Sequence, residues 1–330
     1  MGRRIFAAAA AVWLGLVFAL PASAAPDQLV PVGKTVGLTL ETKGIYVASF
    51  DGEKNSSPAE CAGLKVGDRI LALNGLELER AEELCEQLQL LAGSSVVLTV
   101  ERGGKRMGFT VRPKQQDGSW RLGLRVRDQI SGLGTVTFYD PDTGLFGALG
   151  HGVNGGGNET LLIRHGEAFQ TEVTGIRRGE SGTPGSLLGP STGGMLLGQV
   201  ERNTPQGIFG HAETVFSEAE ALAVAAREEI ITGPAEIWSN ISGSEIQRFT
   251  VEIEAVRFDR DKCRDLRLAV KDPRLLEQTG GIVQGMSGSP IIQNGKLIGA
   301  VTHVLVRDPT RGYGILIGHM LEAAEGDKAA

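Results

Sequence analysis

Cysteine is scarce: the 330 residues hold three, Cys61, Cys85 and Cys263. No Cys-x-x-Cys pair is present and no Cys/His cluster has zinc-site spacing, which excludes a zinc module and a thioredoxin-like redox site. The expectation is no metal and no cofactor. A Cys61–Cys85 bridge after export and three unpaired thiols both remain open at this level. Histidine is nearly as rare, which narrows any search for a general base to His151, His165, His211, His303 and His319. No basic stripe occurs, and the formal net charge is −6. An acidic chain of this kind is a poor nucleic-acid partner. Apolar runs long enough to matter for a membrane are absent after residue 20, and internal repeats are absent altogether.

The one long apolar run is Ile5 to Leu20, preceded by Arg3 and Arg4 and followed by the small residues Ala22-Ser23-Ala24. Sixteen helical residues reach about 24 Å, short of the roughly 30 Å hydrocarbon core. Residues 1–24 are therefore expected to be a cleaved export signal, with an N-terminal membrane segment as the alternative. Cleavage takes away two arginines and no acid, leaving a formal charge of −8. Glycine is the residue in excess, with 47 copies, about double the usual share. Without a collagen-like period this means many tight turns, and hence a mainly β fold with few helices.

Residues 31–113 read as one small module. "VGLTLETKGIYVASF" alternates like two strands around Lys43-Gly44, and "GLKVGDRILALNG" reads as a turn followed by a strand. In "AEELCEQLQLLAG", Leu84, Leu88 and Leu91 recur at helical spacing and Gly93 stops the helix. "SVVLTVERGGKRMGFTVRP" is a hairpin around Gly103-Gly104. Residues 114–120, "KQQDGSW", read as a linker, and 121–320 as a second domain of short β-like runs. Within it "SEAEALAVAAREEIITGP" reads as a helix, capped by Ser217 and Glu220 and ended by Gly233-Pro234. Residues 321–330 are expected to be a frayed tail.

"GMSGSP", residues 285–290, places serines in a glycine turn just ahead of two strands joined at Asn294-Gly295. A serine hydroxyl needs a base to take its proton, and acyl transfer needs donors aimed at the developing oxyanion. The turn can supply exposure for Ser287 and an oxyanion hole from the N–H groups of Gly285 and Ser287. Ser289, next to Pro290, enters the strand instead. His151, glycine-flanked in "GALGHGV", is the histidine a substrate backbone can approach. Asp272, fifteen residues before Ser287, can be read as the acid that orients the imidazole. It can equally be read as a helix cap, because Pro273 follows it.

The order of "AGLKVGDRILALNG", helix and final hairpin resembles a bacterial PDZ domain. That resemblance implies an α+β fold that binds extended peptides, and it places the carboxylate-binding loop at Val36-Gly37-Leu38. "TGGIVQGMSGSPIIQNGKLIGAVTHVLVRDPTRGYGI", "FGALGHGV" and "GPAEIWSNISGSEIQRFTVEIEAV" closely resemble the SpoIVB family of sporulation serine peptidases. The plan of export segment, PDZ domain and peptidase domain matches as well. The resemblance implies a chymotrypsin-like double β-barrel with Ser287 and His151 as the catalytic pair. It makes Asp272 the third member, with Asp140, Asp142 and Glu167 in reserve, since chymotrypsin-like enzymes carry the acid well before the serine.

The family further implies a serine endopeptidase exported into the space between forespore and mother-cell membranes. There it cleaves a membrane-associated regulator, and also itself, to release sigma-factor processing. Protein or peptide substrates and a PDZ ligand, which one of its own segments could supply, are the expected partners. The alternatives are a catalytically silent PDZ adaptor and a broad envelope quality-control protease. If His151 is the base, an acid limb near the usual histidine value of about 6.5 is expected.

Overall fold

The computed structural model describes residues 26–155, 159–257 and 263–326. The export segment expected at 1–24 lies outside the described residues. The chain opens with β1 (Gln28–Pro31) and the long β2 (Thr35–Phe50). Helix α1 (Pro58–Cys61), β3 (Arg69–Leu73), β4 (Leu76–Glu77), helix α2 (Ala81–Leu90), β5 (Val96–Arg102) and β6 (Lys105–Val111) follow. A hairpin of β7 (Lys114–Gln116) and β8 (Ser119–Arg121) leads into a second long strand, β9 (Leu124–Tyr139). Next come β10 (Leu145–Ala148), β11 (Ile163–Gln170), β12 (Gly175–Arg177), β13 (Ser186–Leu188), β14 (Leu196–Thr204), β15 (Gly207–Ala212) and β16 (Leu222–Ala223). The last part holds β17 (Gly233–Ser239), β18 (Gln247–Val256), β19 (Leu266–Val270), α3 (Pro273–Thr279), β20 (Pro290–Gln293), β21 (Lys296–Leu305), β22 (Asp308–Leu316) and α4 (Ile317–Glu325).

Two barrels result, as expected. β17, β18, β19, β22, β21 and β20 close on themselves around Ile237, Phe249, Val251, Leu268, Ile291 and Val301. The other ring runs β2–β9–β10–β15–β14–β11 and returns to β2. Its interior holds Val36, Leu38, Val136, Phe146, Ala168, Leu197 and Ile208. Closure pairs each barrel strand on both sides over part of its length and leaves only alternate side chains to fill the inside. A third cluster, with Phe138, Phe209, Leu297, Ile315 and Met320, packs residues of both barrels against α4.

The PDZ domain is built into the first barrel rather than set before it. "VGLTLETKGIYVASF" is one strand, not a hairpin. Its first half pairs with β11 and β9 in the barrel, and its second half pairs with β3 and β9 in the PDZ sheet. The irregularity in its pairing falls between Glu41 and Tyr46, where Lys43-Gly44 suggested a turn. The PDZ core gathers Ile45, Val47, Leu64, Ile70, Leu84, Leu88, Leu98 and Leu122. Residues 31–42 thus belong to the barrel. The expected linker 114–120 is hairpin β7–β8, and Trp120 in it exchanges two hydrogen bonds of 2.9 Å with the Gln89 amide of α2.

Two helical expectations change as well. Residues 217–234 form no α-helix. Leu222 and Ala223 pair with β1, and Ala225 N–H donates to the Leu297 carbonyl. Pairing with distant strands outweighs the local helical preference of an alanine-rich stretch. Conversely, the tail is ordered through Glu325, because α4 buries Met320 and Leu321.

Candidate active site and peptide groove

The serine loop lies between α3 and β20, with β9 behind it. Thr135 N–H donates to the Ser287 carbonyl (2.9 Å). Thr135 Oγ1 donates to the Gly285 carbonyl, and Thr137 Oγ1 to the Gly288 carbonyl, both at 2.7 Å. One strand therefore fixes three carbonyls of the loop. Gly288 makes this possible, since with φ +95° a Cβ there would stand 1.9 Å from the Thr135 carbonyl oxygen. The N–H groups of Gly285 and Ser287 donate to no backbone acceptor among the described residues, so both are free for an incoming oxygen. Ser289 is fully buried, while Ser287 lines a cleft of about 900 Å³ together with His151 and His303.

His151 follows β10 in a turn where Leu149 and Gly150 both have positive φ. Its Nδ1 sits 3.0 Å from the Gly152 carbonyl oxygen. A carbonyl only accepts, so Nδ1 carries the hydrogen and Nε2 keeps its lone pair, the tautomer a general base needs. Burial lowers the His151 pKa, with the Gly152 bond working in the opposite direction. The His303 ring lies 4.9 Å from it, centroid to centroid. His303 is pushed down to about 4 by burial first, then by His151 and Arg264. His303 is thus neutral near pH 7 and adds no charge beside the base. The acid limb of activity is expected below 6.5 rather than near it, because a depressed pKa keeps Nε2 unprotonated to lower pH. The rate of fluorophosphonate labelling against pH checks this, and a limb at or above 6.5 contradicts it.

Ser287 Oγ donates to the Thr302 carbonyl at 2.7 Å. That carbonyl lies where the pairing of β21 with β22 slips, between Val301 and His303. The hydroxyl is parked on backbone and must rotate to reach His151.

The structure does not bring Asp272 to His151. Its carboxylate caps α3, accepting from Arg274 N–H (2.9 Å), and pairs with the Arg274 guanidinium (2.8 Å). Those bonds to Arg274 hold its pKa below the usual carboxylate value. The helix-cap reading of Asp-Pro is the one the fold realises, and the Gly152 carbonyl stands where an orienting acid was expected. Asp140 is spent on the turn at Asp142 and Thr143, and Glu167 faces His165. Asp272→Ala is expected to cost about 1 kcal/mol of stability. The labelling rate should stay within about threefold of wild type, as urea melts and labelling kinetics can show.

Val36-Gly37-Leu38 is not a peptide-binding loop. It is strand interior, paired on both sides, with Val36 fully buried. A groove of about 410 Å³ lies instead between α2 and the start of β9, lined by Leu84, Cys85, Leu88, Leu122, Leu124 and Val126. At its end Gly123 has φ +70°, and the N–H groups of Leu122 and Gly123 have no backbone acceptor among the described residues. Sequence reading passed over "LGLRV". Its signal was an apolar-Gly-apolar step running straight into alternation. All three cysteines are free.

Residues 118–321 match the model of the SpoIVB peptidase S55 family, more than half of the chain. The chain belongs to that family of serine peptidases. Residues 54–102 match a PDZ domain model, which stops short of the groove-lining residues of β9. Among curated relatives, a DegP-like periplasmic serine endoprotease of Chlamydia trachomatis is 31% identical over 141 residues, 35% of this chain and 28% of its own. Zinc metalloprotease RasP of Shouchella clausii is 31% identical over 130 residues, 35% of this chain and 30% of its own. The chain spans only 18% to 30% of the length of such relatives. Among solved structures, the active form of the Rv3671c protease of Mycobacterium tuberculosis is 18% identical with a TM-score of 0.33, covering 58% of this chain and 71% of its own. The PDZ domain of an SdrC-like protein of Listeria monocytogenes is 22% identical with a TM-score of 0.24, covering 26% of this chain and 90% of its own.

Proposed function

We propose that this chain is an exported serine endopeptidase in which His151 takes the proton of Ser287. The hydroxyl leaves the Thr302 carbonyl, attacks a peptide carbonyl and forms the acyl-enzyme. The N–H groups of Gly285 and Ser287 receive the oxyanion. His151 then delivers the proton to the leaving amine, and water hydrolyses the ester. The reading rests on one observation above the rest: Ser287, a histidine with a bare Nε2 and two unengaged N–H groups line one cleft. Membership of the SpoIVB family supports a place in sporulation signalling, in the space between forespore and mother-cell membranes. There the substrate is a membrane-associated regulator and self-cleavage accompanies it.

The purified protein should take one fluorophosphonate at Ser287, read by intact mass and peptide mapping. A protein that takes none is a silent PDZ adaptor, the reading that the parked Ser287 hydroxyl favours. Broad digestion of casein would instead favour an envelope quality-control protease.

A further inference from the structure

The groove and the cleft share one strand edge. β2 occupies one side of β9 from Leu124 to Thr135. On the other side, among the described residues, a strand partner first appears at Val136, where β10 joins. That open side passes the groove at Leu124 and Val126, then the cleft at Arg127, Ile130, Gly132 and Leu133. Two residues further on, Thr135 holds the Ser287 carbonyl. Helix α2 roofs only the first part. Its first N–H, on Ala81, donates to the Asp128 carboxylate, and Gln89 near its end bonds to Trp120.

An open edge of this kind accepts an extended chain through its unpaired N–H and C=O groups. The free N–H groups of Leu122 and Gly123 mark one end of it for an anion. A chain added antiparallel to β9 must finish where β9 begins, so its terminal carboxylate meets those two donors. Its last side chains fall among Leu84, Leu88 and Leu124 and are therefore apolar. Its upstream residues then run along β9 toward Leu133 and the serine. From Gly123 to Leu133 is ten positions, about 33 Å at 3.3 Å per residue.

We infer that the substrate is an extended polypeptide tail with an apolar, free C-terminus, bound as one added strand from the groove to the cleft. The enzyme then cuts about eight to twelve residues before that terminus. β9 acts as a ruler, and the PDZ groove is the far end of the substrate site. This deepens the peptidase reading and rests on it.

The test uses the full protein and a peptide library made by digesting a bacterial proteome with chymotrypsin, so that members end in free apolar residues. Cuts are located by mass spectrometry and counted from the C-terminus. The expected result is enrichment of about tenfold at eight to twelve residues, from the raised effective concentration of the tethered segment. Enrichment should vanish when the same library is amidated at its C-termini. Cys85→Arg, which fills the groove from an exposed position on α2, should scatter the remaining cuts in the same way. Fluorophosphonate labelling of Ser287 in wild type is run in parallel. Labelling without C-terminal enrichment, or enrichment that survives amidation, overturns the ruler while leaving the peptidase reading intact. Absence of both labelling and cuts overturns the two together.

Discussion

Ser287→Ala is expected to abolish peptide cleavage and fluorophosphonate labelling, and His151→Ala to come within about tenfold of the same loss. The expected scale is about a millionfold in kcat, as for other groups that act as one unit. The double variant should be no worse than either single one. The geometry gives the reason. Among the described residues lining the cleft, the imidazoles of His151 and His303 are the side chains that can take up a proton near neutral pH, and His303 faces a second imidazole with its Nδ1 buried and unpartnered. The Thr302 carbonyl that holds the hydroxyl can accept a hydrogen bond but cannot carry a proton away. Ser287→Ala should cost only about 1 kcal/mol of stability, the price of leaving that carbonyl without its donor. Rates measured at protein concentrations set by absorbance, with urea melts alongside, separate chemistry from folding. A Ser287→Ala protein that still cleaves would move the nucleophile elsewhere.

Gly288→Ala is expected to rank with the most damaging single methyls among the described residues. The added Cβ would meet the Thr135 carbonyl oxygen at 1.9 Å and the Leu149 nitrogen at 2.6 Å, with φ at +95°. Neither side can yield easily. Gly288 N–H donates to the Val301 carbonyl at 2.7 Å, its carbonyl accepts from Thr137, and Thr135 is itself a strand residue bonded to the loop. A loss of more than about 3 kcal/mol follows from backbone strain and clash together. Labelling should disappear even in the fraction that folds. Gly295→Ala is the control: φ is +75°, but nothing lies within 4 Å of the added methyl. It should cost about 1–2 kcal/mol, the left-handed backbone penalty alone, with labelling unchanged. Equal losses at the two positions would show that strain, not contact with β9, sets the effect.

These two positions also show what local sequence can disclose. "GMSGSP" names the serine and the turn that exposes it, because the constraint is short-range. His151 is marked by its glycine neighbours for the same reason. Asp272 carried two consistent readings, and only its bonds to Arg274 and Thr250 decide between them. The double role of β2 is hidden because alternation looks the same whether a strand sits in one sheet or bridges two. The helix expected at 217–234 fails to form for a related reason, since Leu222 and Val224 are claimed by partners at Leu29 and Leu297. The parked hydroxyl of Ser287 leaves no trace in the sequence, for it depends on one slipped position in β21.

The shared strand β2 also bears on how the molecule assembles. Thr39 and Ser131 face each other in the first barrel with a separation of 92 residues, and nearly all of the intervening chain is the PDZ domain. Closing so long a loop without help is slow and entropically costly. The PDZ domain emerges from the ribosome complete before the far half of β9, and its pairings of β2 with β3, β3 with β5 and β5 with β6 join residues no more than 32 apart, as Arg69 and Glu101 are. Once formed, it holds Tyr46 against Arg127, so that the two barrel strands need only zip onward. It is then a staple for the peptidase as well as its substrate-holding arm. A fragment beginning at residue 118 would lack both β2 and the clamp that delivers it, and its first barrel would have no strand with which to close.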